Sequence, residues 1–351
     1  MTYHETSEKV WHDGCKFIVT IANSSHRPIE GNTSMLKKNH QMTFGMQEDE
    51  LMRKKRTMLD EIERVIDFRP IERLLNRLYD RHVGRPAIPP VMLLKMLLLE
   101  QWYGLSDVKV VEEVHDRRSF ERFVGQDVRQ YHVDDTTLVK FRERLREANV
   151  EQRLLKLINE QLEEQGLFVR KGTIIDSTIV RGATRPGRKR TDGTPVDPDV
   201  AYTSRHGQAK EGMKVHLSMD IGSALIEQVE LTSITVHDHQ VFAELIPPES
   251  MGVYADKAYD SDEHRLYLHQ HNQRNGILRK GCRYRLLSTK DKQRNSRLSR
   301  IRAAIEPKIN DVKRWCHLER LRYFSRARNL IQVICAAIGA NLKRSVVLLH
   351  S

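Results

Sequence analysis

Apolar positions recur at three- and four-residue steps through the first readable part of the chain. Met58, Leu59, Ile62 and Ile66 hold this spacing, and Ile71, Leu74, Leu75 and Leu78 resume it after Pro70, so Glu48 to Tyr79 reads as helical. A breaker cluster, Gly84-Arg85-Pro86-Ala87-Ile88-Pro89-Pro90, ends that segment and opens another. Val91 to Gln101 reads as a buried helix, broken at Gly104, and Ser106 or Asp107 is placed to N-cap a helix through Val114. Ser119 to Val124, Thr136 to Leu145 and Glu151 to Glu164 also carry helical patterning, so residues 45–165 are expected to be all-α. Residues 1–44 show no sustained period and read as a poorly ordered N-terminal extension.

The period changes after Gly166. Lys171 to Val180 is β-branched and strand-like, and Lys214 to Ile221, Leu225 to Leu231 and Gly252 to Tyr259 are further strand candidates. A polar loop, Arg181 to Asp199, follows the first strand, Asp238 to Ile246 is a candidate helix, and helical patterning runs from Arg300 to Leu342. Helices followed by β-β-β-α-β and more helices point to an α/β domain with a mixed sheet over residues 166–344, after the helical domain and before a tail at 345–351.

Composition narrows the setting. Apolar residues make up 39% of 351, enough for a sizeable core, while charged residues make up 30%. The longest apolar runs, Val91 to Leu94 and Met96 to Leu99, are interrupted by Lys95 and fall far short of the roughly 20 residues of a membrane span. Cys15, Cys282, Cys316 and Cys335 show no CxxC spacing, and with no secretory-type apolar segment near the start the expected location is cytoplasmic.

Net charge is +12, and its distribution is uneven. The stretch 274–302 holds eleven basic residues, among them Arg279, Lys280, Arg283, Arg285 and Arg302, against one acid, Asp291. Arg181, Arg185, Arg188, Lys189 and Arg190 form a second cluster with no acid among them. Such density favours a polyanion over an ordinary solvated face, and nucleic acid is the first candidate. Val91 to Val114, two helices around Gly104, reads equally as a helix-turn-helix and as a plain bundle, so no base-reading residue is assigned.

Two acids sit in apolar, strand-like surroundings, Asp176 in GTIIDSTIV and Asp256 in GVYADKAY. A half-buried strand position desolvates a carboxylate, and two such positions are best reconciled by a shared divalent cation. Mg²⁺ fits, because it takes carboxylate oxygens and keeps waters for a phosphate. Glu306 is the best third acid: Arg302, Glu306 and Lys313 are spaced by four and seven and would share one helical face. From spacing alone an ordinary i,i+4 Arg–Glu surface pair is the stronger reading of the first two. His237-x-His239 lacks a matching ligand cluster and reads as loop and cap residues, and Tyr259 reads as a packing or DNA-positioning residue, not a nucleophile.

Asp176 in IIDST, Asp256 in ADKAYDS and Glu306 in RIRAAIEPKINDVKR together resemble the Asp-Asp-Glu triad of bacterial insertion-sequence transposases. Arg302, Glu306 and Lys313 fall in register with the family signature Tyr-(2)-Arg-(3)-Glu-(6)-Lys, with Ser299 at the Tyr position. His237-Asp238, Asp256-x-x-Tyr259-Asp260-Ser261, Asn341-Leu342-Lys343-Arg344 and Thr136-Thr137-Leu138 add to the similarity, which spans about residues 42–344. The resemblance implies an RNase H-like catalytic domain with a mixed five-stranded sheet, preceded by an all-α DNA-binding domain. It implies cleavage at the ends of a mobile element and strand transfer by a 3′-hydroxyl, with two Mg²⁺ ions (or Mn²⁺) about 3.5–4 Å apart. Asp176, Asp256 and Glu306 would be the catalytic metal ligands. Arg302 and Lys313 would position the DNA backbone, and Arg181, Arg185, Arg188, Lys189, Arg190, Arg279, Lys280, Arg283 and Arg285 would grip it. Terminal inverted repeats and target DNA are the implied partners, with a homodimer in the active complex, at the nucleoid and away from membranes. The alternatives are an RNase H-like endonuclease that does not transpose and a catalytically impaired DNA-binding relative.

Overall fold

Strand β1 (Thr173–Val180) is the hub of a mixed sheet that also contains β2 (Ala201–Arg205), β3 (Gln208–Asp220), β4 (Ile226–Ser233), β5 (Gly252–Tyr254) and β6 (Arg274–Asn275). The computed structural model describes residues 56–79, 87–205, 208–281 and 286–350. The extension 1–44 and two of the proposed DNA contacts, Arg283 and Arg285, lie outside the described residues. The strand order is β2-β3-β1-β5-β6, with β4 also on β3. β3 runs antiparallel to β1, β2 and β4, whereas β1–β5 and β5–β6 are parallel.

The sheet therefore has six strands, not the expected five. β6 is two residues long and β2 is polar, so neither carries a readable period. β3 begins at Gln208, earlier than the expected Lys214, and passes Gly212 at φ +137°, where an added Cβ would lie 2.0 Å from Val180 O. Glycine alone fits that approach. The expected strand 252–259 stops at Tyr254, because Asp256 turns the chain by accepting the Lys257 N–H at 2.7 Å. The expected helix 238–246 is two short 3₁₀ turns, Asp238–Val241 and Ala243–Leu245, cut off by Pro247 and Pro248, which cannot extend a helix.

The helices before the sheet follow the apolar spacing closely. They are α1 (Met58–Val65), α2 (Arg69–Asn76), α3 (Pro90–Tyr103), α4 (Asp107–Asp116), α5 (Arg118–Val124), α6 (Asp135–Ala148) and α7 (Glu151–Glu164). Thr57 and Asp60 close a capping box on α1, and Ser106 caps α4 through the Lys109 N–H. α3 is buried on all sides, as an all-apolar helix must be, and ends on Gly104 at φ +66°. α4 faces solvent with Lys109 and His115 among Asp107, Glu112, Glu113 and Asp116. Such a face repels phosphate, so α3 and α4 are a core helix and its acidic cover, not a groove-reading pair.

After the sheet come α8 (Asp262–Gln270), α9 (Thr289–Arg302), α10 (Ile305–Trp315) and α11 (Arg326–Leu349). α11 corrects the expectation that no segment is long and apolar enough to span a membrane: it is, by length and composition. Ile331 to Leu342 is nevertheless buried without a break, as befits a core helix. α11 packs on β4 and on α1, α3, α6 and α7, so helical region and sheet share one apolar core. Asn341 seals the junction: its Oδ1 accepts the Ile226 N–H at 2.7 Å and its Nδ2 donates to Ile226 O at 2.8 Å. From α7, Asn159 and Gln152 donate to Ile226 O and Val229 O, so the free edge of β4 is satisfied by side chains.

Candidate active site

The parallel register of β1 and β5 decides where the two acids go. Ile174 lies opposite Tyr254, and each acid comes two residues later, Asp176 in β1 and Asp256 past the end of β5. Side chains two apart share a face of a strand, and Asp256 keeps extended backbone at φ −69°, ψ 165°. Both carboxylates therefore stand at the carboxyl ends of neighbouring parallel strands, where α/β sheets place ligands.

Both acids are half-buried. Asp176 Oδ1 accepts the Ser177 N–H at 2.9 Å, and its Oδ2 receives Arg302 Nη1 at 2.9 Å. Burial holds the Asp176 carboxyl above its ordinary range; Arg302 pulls the other way and the charge of Asp256 adds to the rise. Two neighbouring carboxylates with one guanidinium between their charges are a hard-oxygen donor set still short of cation. That fits a divalent ion such as Mg²⁺ or Mn²⁺.

Glu306 occupies the first turn of α10, exposed, with no hydrogen bond or ion pair to the described residues. The expected single helical face through Arg302, Glu306 and Lys313 is interrupted. α9 ends at Arg302, and Ala303 and Ala304 form a turn before α10. Pro307 is the reason, since its ring crowds the carbonyl four residues back, at Ala303. Two cations hold this hinge to β1: Arg302 on Asp176, and Lys313 Nζ on Ile179 O at 3.1 Å. Lys313 is half-buried, and desolvation, helped by Lys210, lowers its ammonium below the usual range. Ser299, at the family's Tyr position, is exposed on α9. Among the described residues no three His, Cys, Asp or Glu side chains are grouped closely enough to hold an ion. The structure thus joins Asp176, Asp256 and Arg302, and leaves Glu306 on the adjoining hinge.

A cavity of about 650 Å³ opens beside Asp176, along Ser177 to Ile179. Arg181, Lys210, Lys214 and Lys313 line it. The sequence reading missed Lys210 and Lys214. Their four-residue spacing in β3 puts them on one strand face, a signal that became readable once β3 was known to start at Gln208. Lys214 pairs with Asp238 at 2.7 Å, which accounts for the His237-Asp238 motif as a buried support and not a metal pair. Arg185, Arg188, Lys189 and Arg190 are exposed on a small hairpin held by Arg190 N–H to Thr194 O at 2.8 Å. Lys280 is exposed and Arg279 half-buried at the start of the second basic stretch. α9 buries no residue and presents Lys290, Lys292, Arg297 and Arg300 to solvent.

Comparison with known proteins matches residues 47–144 to the family described as Transposase domain (DUF772), and residues 168–342 to the Transposase DDE domain. The chain belongs to the insertion-sequence DDE transposases. It is a transposase enzyme with an RNase H-like catalytic fold, and membership implies DNA as partner and dependence on a divalent metal. No solved structure matches the chain. The second match takes in Asp176, Asp256 and the Arg302–Lys313 segment together.

Proposed function

We propose that this transposase cleaves DNA at the ends of its insertion sequence and joins the freed 3′-hydroxyl strand to target DNA. The observation that carries the reading is the pairing of Asp176 and Asp256 at adjacent strand ends, with the Asp176 charge held by a displaceable arginine. Asp176 and Asp256 would be ligands of two Mg²⁺ ions, with Mn²⁺ as a substitute, and Glu306 would complete the set from the α9–α10 hinge. Bound divalent ions would polarise the scissile phosphate and lower the pKa of the attacking hydroxyl.

The protein's own groups do the rest. Arg302 keeps Asp176 in place while the site is metal-free and, once released, is positioned to neutralise a phosphate oxygen. Lys313 fixes α10 against β1, so that Glu306 is carried on a clamped helix. Arg181, Lys210 and Lys214 give the cavity beside Asp176 a positive wall suited to a sugar–phosphate strand. The hairpin with Arg185, Arg188, Lys189 and Arg190, together with Arg279, Lys280, Arg283 and Arg285, would hold flanking phosphates without reading sequence. Residues 45–165 would form the DNA-binding part ahead of the catalytic part at 166–344. Joining two element ends requires two active sites, so a homodimer on DNA at the nucleoid completes the reading.

Asp176→Asn, Asp256→Asn and Glu306→Gln test it. Each should abolish metal-dependent nicking of end DNA while leaving binding of that DNA intact. Cleavage retained in any one variant removes that residue from the triad.

A further inference from the structure

Tyr259 closes the turn that starts at Asp256, its N–H donating to Asp256 O at 3.0 Å. Its side chain is 1% exposed and packs in a small apolar cluster with Ile175, Val253 and Phe242, whose ring centroid is 5.9 Å away. The hydroxyl at the end of that side chain is buried and has no hydrogen-bond partner among the described residues. A buried orphan of this kind costs about 1–3 kcal/mol, and phenylalanine would fill the same space without it.

What surrounds the hydroxyl gives it a purpose. After burial, the charges of Asp238, Asp176 and Asp256 raise the phenol well above its ordinary range, against Arg302. The group is therefore a proton donor facing carboxylates. Two of the three already have a cation, since Asp238 holds Lys214 at 2.7 Å and Asp176 holds Arg302 at 2.9 Å. Asp256 accepts the neighbouring Lys257 N–H at 2.7 Å and forms no ion pair with the described residues. The turn that carries Asp238 packs directly against the turn that carries Tyr259, so the phenol is boxed in and has little freedom to point elsewhere.

We propose that Tyr259 is a positioning residue for the divalent-metal site: its buried hydroxyl donates to the Asp256 carboxylate when that carboxylate binds a cation, fixing which oxygen faces the ion. The proposal rests on the reading of Asp176 and Asp256 as metal ligands. It explains why a hydroxyl is kept where the metal-free protein gives it no partner, because the missing bond is made only in the loaded state. Metal-binding carboxylates are commonly held by such outer hydrogen bonds, and their loss typically weakens binding by about 10–100-fold.

The test is thermal unfolding of the wild type, Tyr259→Phe and Asp256→Asn, in EDTA and across a Mn²⁺ titration. Binding to the folded state alone raises the melting temperature, so the titration reports affinity without any turnover. Tyr259→Phe should melt at or above the wild-type temperature in EDTA and need about tenfold more Mn²⁺ for the same rise. Asp256→Asn should lose most of the rise. A Tyr259→Phe protein that matches the wild type across the titration overturns the proposal while leaving the metal site standing. One that is less stable in EDTA, or fails to fold, shows that the hydroxyl is already bonded, and also overturns it. If Asp256→Asn responds to Mn²⁺ as the wild type does, the metal site itself is misplaced and the role of Tyr259 falls with it.

Discussion

Replacing Arg302 with alanine takes away the guanidinium that meets Asp176 at 2.9 Å. The two side chains retain 19% and 21% of their exposure, so the pair is neither superficial nor sealed. Exposed pairs couple by about 0.2–1 kcal/mol, and stripping one partner from a fully buried pair costs about 3–5 kcal/mol. A single contact, four-fifths shielded, falls between, and Arg302→Ala should destabilise the metal-free protein by about 1–2 kcal/mol. The sign of the pH dependence follows. Burial already raises the Asp176 carboxyl, Asp256 adds to it, and Arg302 is the largest opposing influence. An acid raised in the folded state contributes stability that is present below its unfolded value and lost as pH rises through its folded value. Without Arg302 the rise is larger, so the deficit of Arg302→Ala should widen from mild acid to neutral pH. Urea unfolding in EDTA of the wild type, Arg302→Ala, Asp176→Asn and the double variant closes a thermodynamic cycle with a coupling of about 1–2 kcal/mol. If Asp176→Asn has the same effect with and without Arg302, to within about 0.3–0.5 kcal/mol, the two side chains do not support each other and Arg302 is not the displaceable counter-charge of Asp176.

Glu100, 1% exposed on α3, is pushed up to about 8 by burial first and by Asp107, against Arg142 and Arg322. Its share of stability is present below about 4.5 and lost as pH rises through about 8, so Glu100→Gln should flatten the alkaline fall of stability, and an unchanged slope would contradict this. Gly339→Ala, which in an open helix gains up to about 1 kcal/mol, should here lose about 1–3 kcal/mol. Its Cβ would stand 2.7 Å from Trp102 Nε1, the donor to Gly339 O, and a more stable variant in urea would refute the close α3–α11 approach. DNA affinity, followed by anisotropy, should fall steeply with salt. The triple change Arg188→Ala, Lys189→Ala, Arg190→Ala should make that slope shallower by about 0.9 for each phosphate the hairpin no longer neutralises, and a flat response in the wild type would exclude a phosphate grip.

Local period was legible in the sequence because it depends on neighbours a few residues away. The spacing of Met58, Leu59 and Ile62, the continuous apolar run of α3 and the β-branched run around Asp176 each predict the element that forms. Composition and charge order likewise mark the hairpin with Arg185 to Arg190 and the basic stretch leading into α9, since exposed charge needs no tertiary context. Two acids in apolar segments also announced a site. What placed them together was the parallel register of Ile174 with Tyr254, a pairing between distant segments that no local pattern encodes.

Tertiary structure alone settled the fate of the cations. Arg302 and Lys313 read as free DNA contacts, yet one is held by Asp176 and the other by Ile179 O, because the Pro307 hinge lays α9 and α10 against β1. The same holds for Tyr259 and for α11. A tyrosine in a turn and a mixed run from Arg326 to Leu349 look unremarkable in sequence. Burial makes one an unpaired hydroxyl beside three carboxylates and the other the shared core of helices and sheet. Residue identity determines what a side chain can do chemically and which local shape its segment prefers. Which groups lose their water, and which charges then face each other, is set only when remote segments pack.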